Sequence, residues 1–225
     1  MSTEKRSVQC ALCGVLKCWH PEKKGKFPRG CTKQEYGDLV KETIEESYTD
    51  PDARRMNIAC ENLLIKGVDK KRGFRWSRVE ELIHFMHDME YKKIGVAFCT
   101  GLSQEARILH IILEKNDFDV VSVNCMAGAL AREEVERQYS IETCKHTGQY
   151  ICNPIMQAEV LNREKTEFNV LLGLCLGHDS LFIKYSKADV TTLVVKDRVL
   201  AHNPIGALYL ADTYYRRKFY SESSG

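Results

Sequence analysis

Ten cysteines in a chain of 225 residues are the side chains most able to do chemistry here, and they fall into two sets. The first lies in CALCGVLKCWHPEKKGKFPRGC, as Cys10, Cys13, Cys18 and Cys31. Two thiols separated by two residues chelate one ion, and two more from the following loop complete a tetrahedral thiolate shell. His20 is a substitute ligand, and Trp19 stands where it could shield the site. Soft thiolates suit zinc and iron–sulfur clusters alike. The spacing matches neither a doubled C-x2-C zinc pattern nor the bacterial ferredoxin run, so both zinc and 4Fe–4S stay open. A catalytic dithiol at Cys10 and Cys13 lacks the strand context of a redox motif.

The second set is Cys99, Cys125 and Cys175, each closing a short apolar run: KKIGVAFC, FDVVSVNC and FNVLLGLC. If the runs are parallel strands, all three thiols reach one edge of the sheet, where ligands bind in α/β folds. Glycines follow closely, at Gly101, Gly128 and Gly177, and allow close backbone approach to a ligand. The helices beyond offer N–H groups to anionic sulfur. Cys152 is the first candidate for a fourth ligand, with Cys144 and His178 behind it. One thiol at a strand end is commonly core, but three at equivalent positions favour a shared cluster. Cys60 falls on the apolar face of a helix and is expected in the core.

Other groups share that edge. His178 and Asp179, just after Cys175, are the candidate catalytic pair, as proton donor or ligand beside the cluster. The competing reading is that Asp179 or Ser180 caps the next helix. Lys196, Asp197 and Arg198 end a fourth run, VTTLVVKDR. They could bind an anionic substrate or balance cluster charge, or form a surface ion pair. A Cys175 nucleophile with His178 as base accounts for one thiol only.

The elements that must position these groups follow from periodicity. Residues 1–32 carry no helix or strand period, and metal binding would supply their folding energy. Across 33–91 the period is helical. Tyr36, Leu39, Val40, Ile44 and Tyr48 share one face, Pro51 suits a helix start, and Val79 to Met89 form a third helix. From 92 to 225, apolar runs near 93–98, 118–124, 168–174 and 190–195 alternate with helices, and a closing helix starts at Asn203-Pro204. The expected fold is α/β: a small doubly wound, Rossmann-like, four-stranded parallel sheet with a cysteine-rich and helical N-terminal extension.

Composition bounds the function. The net charge of +2 gives no nucleic-acid footprint, and the basic run from Lys23 to Arg29 reads as a solvated loop. No apolar run approaches the roughly 18 residues of a membrane helix, and MSTEKRSVQC has no signal-like apolar core. The expectation is a cytoplasmic protein with reduced thiols. Motifs for dinucleotides, P-loop phosphates and hydrolase elbows are absent.

The four early thiols, FCTGL at 98–102, CNPIMQAEVLN at 152–162 and GLCLGHDSLFIKYSKADVTTLVVKDRVLAHNP at 173–204 resemble a family of cysteine-rich metal-binding proteins. This is the domain of unknown function 1847 family, met mostly in anaerobic bacteria and archaea. The resemblance implies metal binding and assigns no reaction. The combined expectation is an iron–sulfur protein with two thiolate sites, doing redox or small-molecule chemistry with an electron-transfer partner or small ligand. The alternative is a zinc-stabilised binding or regulatory module without catalysis.

Overall fold

The computed structural model describes residues 8–28, 30–143, 145 and 148–220. Cys144, an alternative fourth ligand, lies outside the described residues. The chain forms two compact units, residues 1–66 and 67–225.

Among the described residues of the first unit, the thiol-bearing segment forms a 3-10 turn, Cys10–Leu12, before α1 (Thr32–Glu35). The predicted helical periods appear as α2 (Gly37–Thr49) and α3 (Pro51–Gly67). They are separated where Asp50 accepts the Ala53 N–H at 2.8 Å and Pro51 takes the first helical position. The apolar face of α2 forms, but Leu39, Val40, Ile44 and Tyr48 remain exposed. Cys60 on α3 is also exposed, which corrects its placement in the core.

The second unit opens with a short hairpin that periodicity missed, β1 (Val68–Asp69) and β2 (Gly73–Phe74). Strands this short carry no alternation. The signal lay in the turn, where Asp69 accepts the N–H groups of Lys71 and Arg72 at 2.9 Å. Helix α4 (Arg78–Asp88) starts on a capping box of Ser77 and Glu80 and buries Leu82 and Met86.

Then follow β3 (Lys93–Phe98), α5 (Ser103–Glu114), β4 (Asp119–Asn124), α6 (Arg132–Tyr139), α7 (Pro154–Glu164), β5 (Phe168–Leu172), α8 (His178–Tyr185) and β6 (Asp189–Val194). The four strands pair in parallel in the order β4-β3-β5-β6. This is the doubly wound sheet expected from the alternation. Right-handed crossovers place α5 on one face and α7 with α8 on the other, and α7 packs against α8. The inner strands are nearly continuous buried apolar runs, while the edge strands carry Ser122, Thr191 and Thr192 and stay half-exposed.

The closing helix is not continuous. It breaks into α9 (Ile205–Tyr209) and α10 (Arg216–Phe219), and α9 starts after Pro204 without a side-chain cap from Asn203. Between them the Tyr215 N–H turns back to the Leu210 carbonyl at 3.0 Å.

One buried polar contact fixes the sheet centre. Asn169 on β5 is fully buried, accepts the Thr166 hydroxyl at 2.8 Å and donates to Ser186 Oγ at 2.8 Å. It fits because its neighbour on β3 is Gly95, where a Cβ would stand 2.0 Å from Asn169 Oδ1 and 2.8 Å from Leu161 Cδ1. Gly95→Ala is expected to cost about 1–3 kcal/mol through overpacking, read as a lower Tm by thermal denaturation. The cost should shrink when Asn169→Ala has removed the clashing oxygen. Unchanged stability of the single variant would show that the contact does not constrain the sheet.

Candidate functional site

Cys99 follows β3, Cys125 follows β4 and Cys175 follows β5 by three residues, so parallel pairing delivers all three to one edge. Cys99 N–H donates to the Leu172 carbonyl at 3.2 Å, and Cys125 N–H to the Phe98 carbonyl at 2.9 Å, extending the ladders past the strand ends. Both thiols top the hydrophobic core of Ala97, Val123, Leu171, Leu174 and Phe182.

Cys152 joins them from the loop before α7. Its Sγ lies 3.5 Å from Cys125 Sγ. The loop is stitched down by main-chain bonds: Asn153 N–H to the Cys125 carbonyl at 2.7 Å, and Ile151 N–H to the Leu130 carbonyl at 3.1 Å. Buried Arg132 reinforces it by donating to the Gly148 carbonyl at 3.0 and 2.9 Å and to Thr143 Oγ1. Of the fourth-ligand candidates, Cys152 therefore sits in the cluster. His178 is the first residue of α8, half-buried, with its N–H bonded to the Cys175 carbonyl.

Cations meet the sulfurs. Lys196 Nζ lies 3.3 Å from Cys99 Sγ, and Arg198 Nη2 lies 2.9 Å from Cys175 Sγ. Gly101 makes room for the lysine, since a Cβ there would stand 3.3 Å from Nζ. The neighbouring Cys125 sulfur, and then burial, push the Cys99 thiol up to about 12 against the Gly101 N–H and Lys196. Cys152 moves the other way. Its contact with Cys125 lowers its pKa, although burial and the Cys175 and Cys99 sulfurs oppose the shift. The Cys175 sulfur raises the pKa of Arg198.

Two residues of this site had no assigned role in the sequence reading. Thr100 N–H points at Cys125 Sγ at 3.4 Å, and its hydroxyl lies 3.7 Å from that sulfur and donates to Asn124 Oδ1 at 2.6 Å. Gln157, fully buried on α7, donates to the Val123 and Phe98 carbonyls at 2.8 and 3.2 Å, while its Oε1 has no partner. A glutamine among helical polar positions looks like surface until topology turns it inward. Asp179 accepts the Gly177 and Ser180 N–H groups at 2.9 and 2.8 Å, so its carboxylate also organises the start of α8.

The early thiols gather separately. Cys10, Cys13, Cys18 and Cys31 all line a cavity of about 440 Å³ with Leu12, Lys17 and Phe27. Cys10 Sγ lies 3.3 Å from Thr32 Oγ1. His20 pairs with Glu22 at 3.2 Å, and Trp19 is 78% exposed, so it does not shield the site. Among the described residues, no group of three or more His, Cys, Asp or Glu side chains is closed around a single-ion position. The donor chemistry of both sets fits a soft metal: each offers four thiols, and the strand-end set has two cations to offset thiolate charge.

A family model described as protein of unknown function (DUF1847) matches residues 31–193. That range contains Cys31 and all the strand-end thiols. The chain is 38% identical over 211 residues to an uncharacterized protein of Methanocaldococcus jannaschii, covering 94% of this chain and 97% of that one. No solved structure matches.

The opposite shifts of Cys152 and Cys99 set an order of reaction, because the thiolate is the reactive form. In metal-free protein, iodoacetamide should modify Cys152 at a pH below the ordinary thiol range. Cys99 should resist until the pH approaches about 12. Peptide mass spectrometry across a pH series checks this, and equal rates at the two sites would contradict it.

Proposed function

We propose that this chain, which belongs to the family of proteins of unknown function designated DUF1847, is a thiolate metal protein with two iron–sulfur centres. The reading rests above all on Cys99, Cys125 and Cys152 neighbouring one another at a sheet edge that also carries Cys175, with Lys196 on Cys99 and Arg198 on Cys175. Cys10, Cys13, Cys18 and Cys31 would hold the second centre, around a cavity far larger than one ion needs. When bound, a cluster supplies one-electron transfer or a Lewis-acidic iron at an open position.

The chain's own groups have defined parts in this reading. Lys196 and Arg198 offset the charge that accumulates when thiols lose their protons. The Thr100 and Gly101 N–H groups address the Cys125 and Cys99 sulfurs. His178, at the start of α8 beside the site, is the candidate proton donor. Leu176 and Val199, which follow Cys175 and Arg198 in the chain, are 93% and 79% exposed and offer apolar surface to an electron-transfer partner.

One distance favours a second reading, a zinc-stabilised binding module. The 3.5 Å between Cys125 and Cys152 sulfurs is close to the edge of a zinc–thiolate tetrahedron, about 3.8 Å for Zn–S bonds of about 2.3 Å.

Metal and acid-labile sulfide content after purification without oxygen separates the two. Iron with sulfide in the wild type is expected, with loss of about four irons in a Cys99→Ser, Cys125→Ser, Cys175→Ser variant. About one zinc and no sulfide in the wild type would support the second reading: its loss in that variant would place the zinc at the strand ends, and its full retention would overturn the strand-end centre.

A further inference from the structure

The strand-end thiols are not equivalent in access or in contact. Cys125 is 3% exposed and Cys99 is 9% exposed, while Cys152 is partly open to solvent. Cys99 Sγ faces Lys196 and Cys175 Sγ faces Arg198. Cys125 neighbours the Cys99 sulfur on one side and stands 3.5 Å from Cys152 Sγ on the other, and Cys152 is the more open of the two. A disulfide needs about 2.05 Å between sulfurs, so bonding brings the two about 1.5 Å nearer. The main chain already holds the two residues together, through the Asn153 N–H to Cys125 carbonyl bond at 2.7 Å. That tether does not depend on a metal.

We infer that Cys152 and Cys125 form a dithiol–disulfide exchange pair for a low-molecular-weight disulfide, with Cys152 as the attacking thiol and Cys125 as the resolving one. This rests on the strand-end site proposed above and uses two of its thiols, so metal occupancy and disulfide formation exclude each other.

The steps balance. Cys152, having lost its proton to solvent, attacks one sulfur of R–S–S–R. A Cys152–S–R bond forms, the R–S–S–R bond breaks, and R–S⁻ leaves and takes up a proton. Cys125 then loses its proton to solvent and attacks Cys152 Sγ. The Cys125–Cys152 bond forms and the second R–S⁻ leaves, again to be protonated. Two cysteine thiols are oxidised and one small disulfide is reduced to two thiols. The Thr100 N–H, at 3.4 Å from Cys125 Sγ, favours the charge on Cys125 as it attacks, and as it leaves in the reverse reaction. Cys125 is buried and Cys152 partly open, so an incoming disulfide reaches Cys152 first.

The test uses full-length protein purified without oxygen, with metal content measured, then divided into untreated and chelator-treated samples. Both are exposed to a series of reduced-to-oxidised glutathione ratios, quenched with acid, alkylated and digested. Metal-free protein should lose about two thiols per chain and yield a peptide pair joined through Cys125 and Cys152. Metal-loaded protein should resist. Cys125→Ser should stall with one glutathionyl group on Cys152, and Cys152→Ser should yield no joined pair. Circular dichroism of each variant confirms that it folds.

A dominant Cys99–Cys125 bond, glutathione trapped on another cysteine in Cys125→Ser, or no thiol loss in metal-free wild type would each overturn the inference. The metal measurement keeps the two readings apart. A joined pair in a protein that never carries metal sinks the proposed centre alone. Bound metal without a joined pair after its removal sinks the exchange pair alone.

Discussion

Parallel pairing of β3 with both β4 and β5 is the constraint on which the rest of this structure depends. Parallel strands end on one side, and β3 lies between neighbours reached by crossovers in opposite directions. At such a switch point the loops diverge and leave a crevice. Cys99 and Cys125 meet there because backbone hydrogen bonds continue one residue past Phe98 and Asn124. Their positions are therefore set by the ladder rather than by sulfur chemistry.

The crevice is held open and shaped by buried polar groups. Gln157 reaches from α7 to the carbonyls of Val123 and Phe98, the last acceptors before the thiols. The Phe98 carbonyl also accepts the Cys125 N–H at 2.9 Å, so Gln157 is its second donor. Asn169 does a related task deeper in the sheet, linking β5 to the turn after α8 through Ser186. Both tie helix to strand by directional bonds, so the edge where the sulfurs gather is braced from beneath.

The two cysteine sets differ in what organises them. The strand-end thiols sit on a formed core, and cations oppose two of them: Lys196 meets Cys99, and Arg198 meets Cys175. The early thiols sit on a segment with one short helical turn and no buried side chain in that turn. Its order comes from local contacts, such as Lys23 Nζ on the Val15 carbonyl at 2.9 Å and Lys17 and Lys33 over the Phe27 ring. A centre there would fold its own ligands, whereas one at the strand ends would enter a frame already built.

Sequence by itself determined the four strands, their parallel sheet and the delivery of Cys99 and Cys125 to one edge, because buried strands need unbroken apolar runs. The order β4-β3-β5-β6 and the place of Cys175, three residues beyond β5 and not at its end, came from the tertiary structure. Sequence also placed Cys152 near a helix start through Asn153 and Pro154, which cap and open α7. Local pattern failed where the cause was not local. The closing helix broke, the α2 face stayed uncovered and Trp19 pointed to solvent, because covering surface comes from elsewhere in the chain. Only the tertiary structure decided that Thr100 and Lys196 address different sulfurs, that Gln157 turns inward, and that Cys152 faces Cys125 rather than Cys99 or Cys175. Such choices depend on distances between residues far apart in sequence. Those distances exist only after the crossovers have closed around β3.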